Sequence, residues 1–290
     1  MITTLASPGS VVRALIVVLV LLAIAVGLAG ALGSSLAFLG IVWWGLTIVV
    51  AAAGALLLAR GRPIAGVGAL LVAVSVLVAF QFALESVVWT ALFLGGVALI
   101  ALGTRADTAA TGAWPLLLIR AGVGWALVDN AQDHFRTRWL PAVPGTGFFQ
   151  TATGAASRPA AWVGDELYGA FLRNAVVPNV DVWAGLTVCG ELTFGTLLAI
   201  GLFTPVAALG AMWLNVNYMN MKSFLSHGAY PDKVFFLGEA FSLVTAAGLV
   251  YGLDASLHRI VPPIAAQWLM GVSGPEVPLP SPAQPQPRPA

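Results

Sequence analysis

The chain has 290 residues, of which 59% are hydrophobic and only 9% charged, whereas soluble domains carry about 25% charged residues. Thirteen basic and twelve acidic side chains cannot solvate a 29.9 kDa globule whose mean hydropathy is +0.92, which excludes a water-soluble protein. The net charge of +1 gives a nucleic-acid partner no electrostatic support, and the single cysteine, Cys189, excludes an internal disulfide and any two-thiol relay.

A helix that crosses a bilayer needs about 20 apolar residues. In chain order the apolar runs predict spans over 11–31, 38–59, 64–82, 86–103, 114–128, 182–201, 205–221 and 233–251. The expectation is an all-α polytopic membrane protein of eight transmembrane helices. Residues 1–110 form a four-helix scaffold, 111–255 a second four-helix module, 256–270 an interfacial segment and 271–290 an extended proline-rich tail. The first apolar run is longer than the 7–15 residues of a signal-peptide core, so a retained anchor is expected. Its small residues, Gly27 to Ala31, suit close helix packing.

Charge placement orients this arrangement. Arg13, Arg60, Arg62 and Arg105 flank one side of the first half, and the connections near Gly33 and Glu85 hold no Lys or Arg. The positive-inside rule then puts both termini in the cytoplasm of an inner (plasma) membrane. Arg136, Arg138, Arg158, Arg173, Lys222 and Lys233 fall on the other side, as long translocated loops allow. The link over 139–181 is long enough to suggest function. Within it Trp162, Leu167, Tyr168, Phe171 and Leu172 alternate with Asp165, Glu166 and Arg173, the pattern of a short interfacial helix ending before Pro178.

An ionisable side chain at bilayer depth is expensive and usually faces the bundle interior. Arg120, Glu191 and Glu239 qualify, with Asn215, Asn217 and Asn220 beside them. Glu191 lies nine residues past Val182, roughly 14 Å in at 1.5 Å per residue. On the fifth helix Gly122, Trp125, Asp129 and Asp133 form one stripe, and Arg120 lies about 180° away from Asp129. These phases predict an outward-opening polar cavity bounded by Asp129, Asp133, His134, Glu191, Asn217, Asn220, Lys222, His227 and Glu239. Glu191 and Glu239 are the candidate proton-handling acids, with interhelical packing as the competing role. The histidines His134, His227 and His258 match no zinc-ligand spacing, and neither His134 nor His227 is placed for haem ligation.

The segment Arg120-Ala-Gly-Val-Gly124-Trp125, followed by Asp129-Asn130, resembles the opening helix of the DoxX/DoxD membrane proteins. In order there follow Asn174-Ala-Val-Val-Pro178-Asn179, Glu191 with Gly195, and Gly201-Leu-Phe-Thr204-Pro205. The resemblance covers about residues 115–252. Pro205 stands where the family often has arginine, and Asp133-His134 where a lysine often follows the first helix. It implies a four-helix module with its first long loop outside. Its relatives include the DoxD subunit of thiosulfate:quinone oxidoreductase and membrane partners of stress-defence enzymes. For this chain the implication is a subunit of a quinone-linked oxidoreductase, with a membrane quinone as redox partner and thiosulfate or a related sulfur compound as substrate. Arg136, Arg138, Lys222 and Lys233 are the cations available to a dianion. No haem, flavin or metal motif supplies an electron carrier, so a partner subunit or direct sulfur-to-quinone chemistry would have to. The alternative is a non-catalytic membrane anchor or assembly partner, and a transporter ranks third because the second half lacks a broken span.

Overall fold

The computed structural model describes residues 8–81, 86–108, 112–137 and 139–272. The expected proline-rich tail from 273 onward and Arg138 lie outside the described residues. Those described are helical, with no strand among them. The order is α1 (Pro8–Leu32), α2 (Ser35–Ala59), α3 (Pro63–Gln81), α4 (Ser86–Thr104) and α5 (Trp114–Arg136). Then come α6 (Gly147–Ala156), α7 (Val163–Phe171), α8 (Val180–Ile200), α9 (Thr204–Met221) and α10 (Tyr230–Val244). Two short helices close the chain, α11 (Leu253–Leu257) and α12 (Pro263–Leu269).

Four helical stretches are long and apolar enough to cross a membrane: Val11–Leu32, Ser35–Ala59, Val87–Asp107 and Val163–Ile200. The described residues thus form an all-helical chain with four candidate membrane spans, and the eight expected are not all confirmed. The apolar part of α3 is shorter, Pro63–Val78. Polar groups interrupt α5 (Arg120, Asp129, Asp133), α9 (Asn215, Asn217, Asn220) and α10 (Glu239). Along α1, Val12, Leu19 and Ile24 are each more than half exposed, an apolar surface suited to lipid.

Helices α2, α3 and α4 pack side by side, and α2 also lies on α8. The second module closes on itself: α5 against α8, α8 against α9, α9 against α10, and α10 back against α5. The antiparallel order gathers Arg13, Arg60, Arg62, Arg105 and Arg259 at one end, here the arginine end, and the 139–179 segment at the other, the loop end. Between the two modules, the Asp181 carboxylate accepts from the Ser35 amide at 2.9 Å, the Ser35 hydroxyl at 2.6 Å and the Ala142 amide at 2.7 Å. One side chain thus joins α2, α8 and the long connection, and places negative charge at the amino-terminal end of α2.

Close packing is not where the first helix suggests it. Nothing lies within 4 Å of a Cβ built on Gly27 or Gly30. Tight crossings lie elsewhere, among them that of α3 with α4 and that of α5 with α8, where a Cβ on Gly124 would meet the Ala199 amide at 2.5 Å and the Gly195 carbonyl at 2.6 Å. Small residues here let two backbones touch, the usual means of helix association in lipid.

The 139–179 segment is more ordered than an interfacial helix between loops. Helices α6 and α7 pack on α8 and α9. After α7 the chain does not stop before Pro178: a π-helical turn (Leu172–Val176) and a 3-10 turn (Val177–Asn179) carry it directly into α8. A wider turn leaves room for the proline ring and frees carbonyls. Two of the resulting acceptor bonds converge on Ala175, whose carbonyl takes the Asn179 amide and the Trp183 indole, each at 3.1 Å.

The α5–α8 crossing is testable by a single methyl. Gly124→Ala overpacks it and is expected to lower the unfolding midpoint in detergent, by the equivalent of about 1–3 kcal/mol. Gly122→Ala, which meets nothing within 4 Å, leaves the midpoint within error. Equal midpoints for the two variants would show that the crossing is not tightly packed.

Candidate functional site

Glu191 is fully buried and doubly held. Its Oε1 accepts from the Tyr218 hydroxyl at 2.6 Å, and its Oε2 lies 2.9 Å from His134 Nδ1. Three helices supply the set: α5 gives His134, α8 Glu191 and α9 Tyr218. Since His134 and Tyr218 sit in the last turns of their helices, Glu191 lies level with the loop end of the module. The imidazole is held from the other side by Trp139, whose ring stacks on it at 3.4 Å between centroids and 18° between planes. Trp139 in turn leans on Phe148 of α6, at 5.1 Å. Only 15% of the His134 side chain is exposed. The chain His134–Glu191–Tyr218 therefore runs from a nearly covered imidazole to a buried phenol, every link within 3 Å.

Glu239 is also fully buried. Its Oε1 accepts from Asn215 Nδ2 at 2.5 Å, and its Oε2 has no hydrogen-bond partner among the described residues. Asn215 and Tyr218 are one turn apart on α9, so two acids from the helices on either side of it, α8 and α10, are tied to the same stretch of α9. They share no hydrogen bond with each other.

The other expected residues divide differently. Lys222, at the end of α9, forms a salt bridge with Asp232 of α10 at 2.9 Å. Asn217 accepts from the Tyr168 hydroxyl at 3.1 Å and donates to the Trp213 carbonyl of its own helix at 2.8 Å. Asn220 donates to its own helix, to the Val216 carbonyl at 2.7 Å. Lys233 lies 4.7 Å from the centre of the Phe224 ring, and His227 is exposed. The phase of α5 is the reverse of the sequence expectation. Asp133 and Gly122 are exposed and Asp129 half-buried, whereas Arg120 and Gly124 face inward. Arg136 is exposed too. The expected single cavity is thus replaced by three hydrogen-bonded sets, around Glu191, Glu239 and Asp232. Two other cations of the long connection have structural partners as well: Arg158 donates to the Met221 carbonyl and Arg173 to that of Ala156.

One cavity adjoins the Glu191 set through Tyr218, and a second shares a wall with the first. A small one of about 20 Å³, room for one water, is lined by Tyr168, Trp183, Thr187, Trp213, Asn217 and Tyr218 among others. A larger apolar groove of about 260 Å³ runs between α1, α2 and α8 and includes Leu22, Phe38, Cys189, Thr193, Phe194 and Trp213. Trp213 is common to both. Cys189 is a buried apolar wall of that groove.

Four of the resemblance's residues, Arg120, Gly124, Gly201 and Thr204, lie along one seam near the arginine end of the module. Arg120 is fully buried and donates to the carbonyls of Leu198 and Tyr251, both at 3.3 Å. Above it the chain turns from α8 to α9 through Gly201, whose φ of +65° favours glycine. A Cβ there would stand 1.7 Å from Arg120 Nη1, so the guanidinium occupies that space. Asp254, fully buried, accepts from the amides of Phe203 at 2.9 Å and Thr204 at 3.0 Å, and its own amide donates to Gly201 at 2.8 Å. Pro178 and Asn179 belong to the opposite end, in the turn before α8. Arg120, Gly201 and Thr204 therefore fix a turn; they do not line the Glu191 set.

Several participants were not foreseen. Tyr218, Trp139, Asp181 and Asp254 carry no motif of their own. Tyr218 had one signal, a hydroxyl one residue from Asn217 and one turn from Asn215 on an otherwise apolar helix.

Burial raises the Asp254 carboxyl from the ordinary aspartate value to about 7, against the amide donations of Thr204 and Phe203 and the charge of Arg120. The folded state then holds a proton that the unfolded chain releases near 3.8. The stability this contributes is complete below the unfolded value and is lost as pH rises through about 7. The unfolding midpoint in detergent is expected to fall between about pH 4 and pH 7, the range bounded by those two values. Asp254→Asn should flatten that slope; an unchanged slope would assign it to other groups.

Comparison with protein-family models, with curated proteins and with solved structures returned no match to this chain.

Proposed function

We propose that the protein is an integral membrane subunit of a quinone-linked oxidoreductase, in which this chain handles protons and a partner subunit carries electrons. The observation that supports it is the buried His134–Glu191–Tyr218 chain, with links of 2.9 and 2.6 Å. Purely structural satisfaction of a buried carboxylate does not require an imidazole that reaches the surface on one side and a phenol that reaches a cavity on the other.

Reduction of a quinone takes up two electrons and two protons, and the electrons come from a reduced sulfur compound such as thiosulfate. The protein's own residues act on the protons. A proton arriving on the exposed edge of His134 lets Nδ1 pass its proton to Glu191 Oε2. The Tyr218 hydroxyl then swings from Glu191 toward the cavity that it lines, the protonated carboxyl turns to present the proton taken up on Oε2 to the Tyr218 oxygen, and as that proton transfers the hydroxyl releases its own into the cavity. General acid–base groups need only hydrogen-bond distance and a matched proton affinity. The apolar groove fits an isoprenoid chain, whereas the adjoining 20 Å³ cavity does not fit a quinone ring. No step is therefore routed through a bound ring.

A second reading, a non-catalytic anchor or assembly partner of a redox or stress-defence complex, has one observation in its favour. At the loop end Val163, Leu167 and Leu225 are each about two-thirds exposed, beside a Trp162–Phe224 ring contact. Such a patch suits a partner or the membrane interface.

The discriminating experiment uses the complex purified from native membranes, assayed for reduction of a soluble quinone by thiosulfate. Glu191→Gln is expected to lower the rate by about 10²–10⁴-fold, as for loss of an acid–base group, with assembly intact by co-purification. His134→Gln should lower it similarly and move the pH profile. A wild-type complex that never reduces quinone with reduced sulfur compounds, or a Glu191→Gln complex of full activity, overturns the redox reading. Loss of partner attachment in a Leu167→Asp, Leu225→Asp variant would support the second.

A further inference from the structure

At the arginine end a third cavity, of about 210 Å³, is lined by Arg60, Arg62, Asp107, Ser256, Arg259 and Ile260. Three guanidiniums face one carboxylate there, leaving two positive charges in excess. The carboxylate is the fixed point. Asp107 is buried, with 3% of its side chain exposed, and accepts from Arg62 at 2.7 Å, Arg259 at 3.4 Å and the Ser256 hydroxyl at 2.6 Å. It holds two arginines from distant parts of the chain, one after α2 and one after α11, and both line the shared space. Arg60 lines the same cavity, and its side chain makes no hydrogen bond or ion pair among the described residues. An arginine fork is the side chain best matched to planar or tetrahedral oxyanions.

The location narrows the chemistry. The site stands at the end of candidate span α2, and Leu58 and Ile64, just before and after the two arginines, are exposed. A cation pocket at the foot of an apolar helix face offers one ligand both a charged and an apolar contact. We propose that Arg60, Arg62 and Arg259, braced by Asp107, form a binding site for a phosphate group, carried by the headgroup of an anionic membrane lipid or by a free phosphate ion. The site is independent of the Glu191 set and of any redox activity.

The test uses the full chain in an uncharged detergent and reads the unfolding midpoint. Phosphatidylglycerol, phosphatidylcholine and inorganic phosphate are titrated separately. Phosphatidylglycerol is expected to raise the midpoint and phosphatidylcholine to leave it unchanged. Arg60→Gln and Arg259→Gln should each weaken the half-saturating concentration by about tenfold, the loss of one charge-assisted contact. Arg105→Gln removes a charge at the same end but outside the cavity lining, and should retain the wild-type response. Inorganic phosphate acting alone, and lost in the same two variants, assigns the site to the free ion. No midpoint change with either phosphate source, or an Arg105→Gln loss equal to that of Arg60→Gln, overturns the proposal.

Discussion

A polar side chain inside a bilayer has no water to fall back on, so its partners must come from the protein itself. That constraint organises the second module more than apolar packing does. Glu191 draws α5 and α9 onto α8 through His134 and Tyr218. Glu239 draws α10 onto α9 through Asn215. Arg120 closes the far end against the carbonyls of Leu198 and Tyr251. Each of the four helices is thereby tied to another by at least one buried polar contact. Glycine contacts such as Gly124 against Ala199 allow the backbones to come close enough for these short side chains to meet.

The two buried acids answer the constraint differently, and the difference bears on function. Both Glu191 oxygens are engaged, one on the side of a nearly covered imidazole, the other on the side of a phenol that borders a cavity. Glu239 has one oxygen engaged and one without a partner among the described residues. A chain of donors with two distinct ends can conduct; a carboxylate bonded to a single amide can only hold. On that ground Glu191 belongs to the proposed relay and Glu239 to the cohesion of α9 with α10.

How much could be read in the sequence follows from what each kind of signal encodes. Apolar runs marked the helices well, because lipid exposure is a property of local composition. Four of the expected spans have the length and hydropathy of a crossing helix; α5, α9 and α10 are helical, but the polar residues they bury make them less apolar than a lipid-facing helix. Glu191 and Glu239 were legible as buried acids, since a lone carboxylate in an apolar run has few other places to go. The pairing within the expected cavity was not: His134 and Asn215 were singled out as polar neighbours, but helical phase alone does not say which acid each one meets. Arg120 and Asp129 were correctly placed on opposite faces of α5, but nothing local says which face is inside. That choice is made by Gly124 meeting α8 and by Gly201 leaving room for a guanidinium, facts that exist only once the helices are packed. Asp181 and Asp254 escaped notice for the same reason: their donors, Ser35 and Phe203, are distant in sequence.

The continuous passage through Pro178 has a consequence for the loop end. Had α7 ended before the proline, the segment over the module would be free to move relative to α8. The π-helical turn instead couples α7 to α8 through carbonyls such as that of Ala175, which takes two side-chain donors from the start of α8 and the turn before it. The Tyr168 hydroxyl on α7 bonds Asn217 on α9, and Asp165 on α7 accepts from Ser223 at 2.9 Å. Displacement of α7 therefore pulls on α8 and α9 together, the two helices that carry Glu191 and Tyr218. A partner or membrane surface gripping the exposed Val163 and Leu167 would act on the same helices. Hydrogen bonds therefore join the element that carries the apolar patch to the two helices that carry Glu191 and Tyr218.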